Sequence, residues 1–320
     1  MHDLAALAEK VIAADRASVA RAISLVEDTR PAASREAATL LSLLGRSPRH
    51  GQGHRTGVTG PPGVGKSTLV NALIKHMRRA GRTVGVVAVD PSSKRSGGAL
   101  LGDRARITVD PTDEGVFVRS LATGGEHGGL ALAAPAIVWV LAAAYDDVII
   151  ETTGVGQTET DVEHVADTVV LVIQPGSGDT LQFLKAGIME IPDLIVVNKS
   201  DLGALAERAA SDVKAALHLA DGSAAPSVVL VSATGGQGIE TLVGLIDARR
   251  ATERTATAAR RQRGWVHWTL SLLVRTIGER GIEERGGRVA LAETISRELG
   301  LGRSPPEIAG ALDRREVFTR

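Results

Sequence analysis

The sequence predicts an α/β fold, a mostly parallel sheet flanked by helices, with N-terminal helices before it and a helical C-terminal arm after it. Three observations predict it. Short, β-branched runs at 56–59, 83–89, 148–150, 169–173, 194–197 and 228–231 read as buried parallel strands, because a strand covered on both faces has no polar alternation. The segments between most of these runs are long enough for crossover helices. Between the first run and the helix-like Thr68–Ile74 stands Gly60-Pro61-Pro62-Gly63-Val64-Gly65-Lys66-Ser67, with the G-x-x-x-x-G-K-S spacing of a phosphate-binding loop. In such sheets ligands bind at the carboxyl ends of the strands, so the residues after each run are the candidate site.

Composition narrows the classes. Hydrophobic residues make up 43% of the 320 and aromatics only 2%, so the core must be aliphatic. Lys plus Arg and Asp plus Glu stand at 37 each, leaving no global field to draw nucleic acid or anionic lipid. The absence of cysteine excludes disulfides, thiolate metal sites and cysteine catalysis. The first 16 residues carry charges throughout and no apolar signal core, so a cytoplasmic enzyme is expected, bound to neither nucleic acid nor membrane. Leu130–Tyr145 is uncharged but shorter than the roughly 20 residues of a spanning helix and contains Pro135, so it reads as a buried helix.

Taken in order, residues 1–50 form a helical extension, 51–248 the nucleotide domain and 249–320 the arm. Leu4, Leu7, Val11, Ile12, Val19, Ile23 and Val26 recur at helical spacing, and Ser34 starts a second helix ending at Gly45. Ser47–Arg55 reads as a solvated linker; its His50 and His54 lack the helix or further partners that a metal pair would want.

The phosphate loop then follows. Gly60, Gly63 and Gly65 let backbone N–H groups approach a phosphate, and the helix start near Lys66 and Thr68 points its partial positive charge at the same anion. Lys66 can reach the β and γ oxygens, and the Ser67 hydroxyl can coordinate Mg²⁺. Asp90 and Asp103 lie in a Gly- and Ser-rich loop that suits a magnesium ion keeping several waters. Glu151 ends a strand before Thr152-Thr153-Gly154-Val155-Gly156-Gln157; it can hold a metal-bound water, and Gly154 can offer its N–H to a γ-phosphate. Small regulatory GTPases place a water-orienting glutamine directly after that glycine, whereas Gln157 stands three places on, which leaves its catalytic role open. In the next loop, Gln174–Gln182, followed by Lys185, the lysine is either a source of transition-state charge or a plain surface residue.

Asn198-Lys199-Ser200-Asp201 selects the base. The Asp201 carboxylate only accepts hydrogen bonds and fits the N1–H and 2-amino donors of guanine, whereas adenine has an acceptor at N1 and no 2-amino group. Lys199 would lie along the base plane, and Asn198 would tie this loop to the phosphate loop. Ser232-Ala233-Thr234 offers backbone N–H to the guanine carbonyl. The expected ligands are therefore GTP or GDP with Mg²⁺.

Further along, Trp265, Trp268, Leu272, Leu273 and Ile277 form an apolar helical stripe expected to meet a partner, after the basic run Arg260-Arg261-Gln262-Arg263. Ser304-Pro305-Pro306-Glu307 reads as a helix start.

Three segments together resemble one family. V-D-P-S-S-x-x-S-G-G-x-x-L-G-D at 89–103, E-T-T-G-V-G-Q at 151–157 and P-G-S-G-D-x-L-Q at 175–182 are similar to the MeaB/ArgK GTPases, bacterial relatives of the human methylmalonic aciduria type A protein. The resemblance implies a homodimeric P-loop GTPase of the SIMIBI class. Such a protein is a chaperone for adenosylcobalamin-dependent acyl-CoA mutases, chiefly methylmalonyl-CoA mutase, gating cobalamin delivery and protecting the enzyme. It implies that Asp90, Asp103 and Glu151 are magnesium-site acids, that 90–104, 151–160 and 174–185 are switches, and that 249–320 is the dimerising arm. Gly124 and His127 depart from the family pattern. The alternatives are a metal-insertion GTPase, an arginine/ornithine (LAO/AO) transport-system kinase or ATPase, and a nucleotide-switched scaffold with negligible hydrolysis.

Overall fold

A computed structural model describes residues 2–90, 107–122, 133–153, 161–176, 192–219 and 226–314. The chain divides into two compact units, one made of His54–Ala134 and Asp146–Arg254, the other of Met1–Gly53, Pro135–Tyr145 and Thr255–Arg320.

The first of these units holds strands β1 (His54–Thr59), β2 (Val84–Asp90), β3 (Val116–Ala122), β4 (Asp147–Glu151), β5 (Thr168–Ile173), β6 (Leu194–Val197) and β7 (Ser227–Leu230). They form a seven-stranded sheet in the order β3-β2-β4-β1-β5-β6-β7. Each described pairing is parallel, so the sheet is more uniform than the mostly parallel one expected. β3 was not among the expected strands. It sits at the sheet edge, where Arg119 and Ser120 are tolerated, so it lacks the continuous apolar run of inner strands such as β5 and β6.

The alternation of β5 shows why those inner runs are apolar throughout. Val170 and Val172 pack in a core with Leu69, Leu73 and Met77 of the helix Lys66–Arg79 and with Leu242 and Ile246 of the helix Ile239–Thr252. Leu171 and Ile173 pack on Ala206, Ala210 and Val213 of the helix Ala204–Leu219. Successive side chains point to opposite faces, and both faces are covered, so Val169–Ile173 is apolar at every position, and the polar residue that opens the strand, Thr168, is buried with a partner, His54. Full burial of each such aliphatic side chain contributes about 1.5–3 kcal/mol.

Beside β3, Arg78 clamps the incoming turn. Its guanidinium donates to Asp113 Oδ1 at 2.7 Å and Oδ2 at 3.0 Å and to the Arg82 carbonyl at 2.8 Å. The Arg78 hydrogen bond holds the Asp113 carboxyl below its ordinary value of 3.8, outweighing partial burial.

The second unit is helical: His2–Ile12, Arg16–Glu27, Pro31–Gly45, Ala134–Ala144, Arg254–Glu283, Gly287–Gly300 and Pro305–Asp313. Where two N-terminal helices were expected there are three. The chain breaks at Ala14 (φ 59°), and Asp15 caps the next helix by accepting from Ser18 N at 2.8 Å. The helix expected to start at Ser34 starts at Pro31, whose fixed φ suits a first turn. The long helix Arg254–Glu283 is interrupted at Gly278, where φ is 68°.

Two expectations about this unit are corrected. His50 is buried rather than solvated, with its ring 4.2 Å from that of Trp139, which in turn meets Trp265 at 4.7 Å and Trp268 at 6.3 Å. The tryptophan stripe is thus packed within its own unit, and Leu273 joins Ile282, Leu291, Ile295 and Ile308 in a second core. A linker and a partner-facing stripe were read separately because two apolar or aromatic faces distant in sequence cover each other only in three dimensions. His54 is buried as well, opening β1 with its Nε2 3.0 Å from Thr168 Oγ1. Among the described residues no helix is long and apolar enough to cross a membrane.

Candidate functional site

The carboxyl ends of β1, β4, β5 and β6 and the loop after β7 carry the site. Leaving β1, Gly60 takes φ 137°, and a Cβ there would lie 2.1 Å from the Val172 carbonyl oxygen of β5. Only glycine lets the loop pass so close to the neighbouring strand. Val64 anchors the loop in the core, while Pro62, Gly63 and Thr68 are exposed around it. Gly65 (φ 94°) precedes the helix Lys66–Arg79, and a Cβ on it would meet Asn198 Nδ2 at 2.5 Å.

Lys66 is buried, with its ammonium donating to the carbonyls of Gly60 at 2.8 Å and Pro61 at 3.0 Å. The positive charge therefore sits inside the curl of the loop, at the helix N-terminus, where both favour an anion. Ser67 Oγ donates to Glu151 Oε1 at 2.7 Å; Glu151 is the last residue of β4 and is buried. Two oxygens so close are the donor type a hard divalent cation takes. Next to them, Thr152 Oγ1 donates to Thr59 Oγ1 at 2.9 Å, joining the ends of β4 and β1.

The second half of the site hangs on Asn198, which is buried directly after β6. Its Nδ2 donates to the Val64 carbonyl of the phosphate loop at 2.8 Å, and its Oδ1 accepts from Ala233 N at 3.1 Å. One side chain thus ties three loops together. Lys199 has a left-handed backbone (φ 59°); its Nζ lies 3.5 Å from the Gly63 carbonyl and donates to Gln174 Oε1. Asp201 is exposed, and its Oδ1 accepts from Ser232 Oγ at 2.7 Å. Ser232 Oγ in turn accepts from Gly235 N at 3.1 Å and lies 3.4 Å from Thr234 Oγ1. The 232–235 turn is thereby folded against the Asp201 carboxylate.

The structure therefore gathers Gly60 to Thr68, Glu151, Asn198, Lys199, Asp201 and Ser232 to Thr234 at one sheet edge. Asp90 closes β2 at that edge, and its side chain lies outside the described set. Asp103, Gly124, His127, Gly154, Gln157 and Lys185 also lie outside the described residues. Sequence reading did not single out Gln174 or the Thr59–Thr152 pair. Gln174 had a signal, since it follows its strand as directly as Asn198 follows β6. Among the described residues no group of three or more His, Asp or Glu could hold a metal ion.

Known proteins share this chain's family and fold. The profile of the family described as "Methylmalonyl Co-A mutase-associated GTPase MeaB" matches residues 19–285. A putative GTPase of Pyrococcus horikoshii is 50% identical over 202 residues, 63% of this chain and 62% of that protein, so the chain spans less than two thirds of that relative. A putative GTPase of Caulobacter vibrioides is 41% identical over 278 residues, 85% of each chain. Among solved structures, that of an LAO/AO transport system kinase matches with a TM-score of 0.67 and 29% identity, covering 92% of this chain and 98% of the other. A phosphate loop, an N-K-x-D turn tied to it by one asparagine and a family profile over most of the length lead to one conclusion: the chain has the P-loop GTPase fold and belongs to the MeaB family of methylmalonyl-CoA mutase-associated GTPases.

Proposed function

We propose that this chain is a GTP-hydrolysing chaperone that gates cofactor delivery to, and protects, an adenosylcobalamin-dependent acyl-CoA mutase, with methylmalonyl-CoA mutase as the client. The observation that carries the nucleotide reading is the Asn198 bridge between the Val64 carbonyl and Ala233 N, which links a phosphate-binding loop to a guanine-reading loop. The client follows from the family.

In this reading the backbone N–H groups of 60–68 and the Lys66 ammonium bind the phosphates. The Asp201 carboxylate accepts from guanine N1–H and the 2-amino group, Lys199 lies along the base, and the 232–234 turn donates to its carbonyl oxygen. Ser67, Asp90, Asp103 and Glu151 supply oxygen ligands for Mg²⁺, whose chemistry when bound is to neutralise charge on the β and γ phosphates. Gly154 senses the γ-phosphate, Gln157 and Lys185 contribute from the flanking switch loops, and residues 249–320 form the arm of a homodimer. Catalysis is then positioning plus electrostatic stabilisation. Val155, not a glutamine, directly follows Gly154, which fits slow turnover that a partner accelerates.

The test is GTP hydrolysis by the full chain, alone and with methylmalonyl-CoA mutase. The reading expects slow hydrolysis alone and a changed rate with the mutase. Fast hydrolysis that the mutase leaves unaltered would overturn it. A second reading, a transport-system kinase, is favoured by the likeness to the solved LAO/AO transport system kinase at 29% identity. It requires ATP to outcompete GTP, and the acceptor-only Asp201 disfavours that.

A further inference from the structure

We propose that Gln174 is a positioning residue for guanine recognition, acting through Lys199; the inference rests on the guanine reading of the site above. The backbone brings the two together. β5 and β6 run in parallel register with Ile173 opposite Val197, and the ladder continues one step further as Asn198 N donates to the Ile173 carbonyl at 2.8 Å. Gln174 therefore emerges from its strand beside Asn198 and Lys199. It is half-buried, and it opens a Pro175–Gly176 turn in which Gly176 takes φ 75°.

Side-chain chemistry explains the pairing. An ammonium only donates, so the oxygen of the Gln174 amide must face Lys199 Nζ. Two acceptors hold that ammonium, the Gln174 Oε1 at hydrogen-bonding distance and the Gly63 carbonyl at the long distance of 3.5 Å. With its head held by Gln174 and the phosphate loop, and its left-handed backbone fixed at φ 59°, the four-carbon stem of Lys199 is laid across the space between the two loops. That orders the stem before a base arrives. Without the glutamine, the lysine keeps only its long contact to the phosphate loop and samples other rotamers, so part of the binding energy goes into ordering it. Because the base is common to GTP and GDP, the loss should fall on both nucleotides equally and leave the chemical step alone.

The experiment is equilibrium titration of the full chain with fluorescent GDP and a non-hydrolysable GTP analogue, alongside steady-state GTP hydrolysis, for Gln174→Ala, Gln174→Glu, Lys199→Ala and the double variant Gln174→Ala/Lys199→Ala. Gln174→Ala is expected to raise Kd for both nucleotides by about tenfold, the scale of one hydrogen bond to a charged group. Its kcat at saturating GTP should stay within about twofold of wild type, the signature of lost uniform binding. Gln174→Glu, which offers the ammonium a carboxylate, should bind as tightly as wild type or tighter, and Gln174→Ala should have no further effect once Lys199 is alanine. The proposal is overturned by an unchanged Kd, by a loss confined to GTP, by Gln174→Glu behaving like Gln174→Ala, or by the same loss appearing in the Lys199→Ala background. If the wild-type chain binds ADP as tightly as GDP, the guanine reading itself falls, a result distinguishable from all of these.

Discussion

Replacing Asn198 by alanine should weaken the protein and its nucleotide affinity together. The side chain is 3% exposed and makes two hydrogen bonds, to the Val64 carbonyl at 2.8 Å and from Ala233 N at 3.1 Å. Val64 is fully buried, so its carbonyl loses a partner that water cannot easily replace; Ala233 is half-buried, and water can reach its N–H. An unsatisfied buried group costs about 1–3 kcal/mol and a lost bond to a wetted group about 0.5–1.5 kcal/mol, so the sum is about 1.5–4.5 kcal/mol. Urea denaturation followed by circular dichroism measures the first effect, and GDP titration the second. Asn198→Asp is the control for mechanism. It keeps the acceptor for Ala233 N but sets a carboxylate oxygen against the Val64 carbonyl, so at neutral pH it should be at least as unstable as the alanine variant. Burial and the facing carbonyl raise the folded-state carboxyl above its ordinary value, so stability should return as pH falls through that raised value toward about 4, where a protonated oxygen can donate again. An Asn198→Ala protein within about 0.5 kcal/mol of wild type and with unaltered GDP affinity would refute the bridge as the element that joins the two halves of the site.

Two other perturbations read different parts of the architecture. Gly60→Ala drives a Cβ to 2.1 Å from a backbone oxygen of β5 at φ 137°, whereas Gly63→Ala meets nothing within 4 Å and bears only the strain of φ 79°. Thermal denaturation should show about 3 kcal/mol or more lost for the first and about 1–2 kcal/mol for the second, with GDP binding weakened by both and abolished by the first. Asp113→Asn tests the Arg78 clamp through pH. The Asp113 carboxyl is lowered from 3.8 by Arg78, so its contribution is present above that value and is lost as pH falls through the depressed one. Wild type should therefore be the more stable at neutral pH, and the gap between wild type and Asp113→Asn should close as pH drops below 3.8, read by urea denaturation at each pH.

How far sequence alone reaches depends on whether the information is local. The inner strands were readable because burial on both faces forces Val169–Ile173 and Leu194–Val197 to be apolar throughout, and the loop 60–67 because each position answers to a local backbone demand. β3 was not, since an edge strand carrying Arg119 and Ser120 has no such constraint. The role of the tryptophans was not either. Trp139, Trp265 and Trp268 stand more than a hundred residues apart across the longest gap, and which face covers which is decided only when the helices assemble around His50. At the site, Asn198, Lys199 and Asp201 were named from a four-residue pattern, and Asn198 was expected to reach the phosphate loop. That Ser232 Oγ would hold Asp201, and that Gln174 would hold Lys199, depend on strand order and register rather than on any motif.

Base selection tests the central claim most directly. Guanine offers donors at N1 and the 2-amino group, whereas xanthine keeps the N1 donor but carries an acceptor oxygen at position 2. Asp201 suits guanine; an amide in its place, with one oxygen and one N–H₂ group, suits xanthine. Competition of GTP, XTP and ATP for the wild-type chain and for Asp201→Asn should show GTP bound best by wild type and XTP best by the variant, a reversal of about tenfold or more in each direction. An order of affinities that is the same in both proteins, or ATP bound best by wild type, would contradict the account.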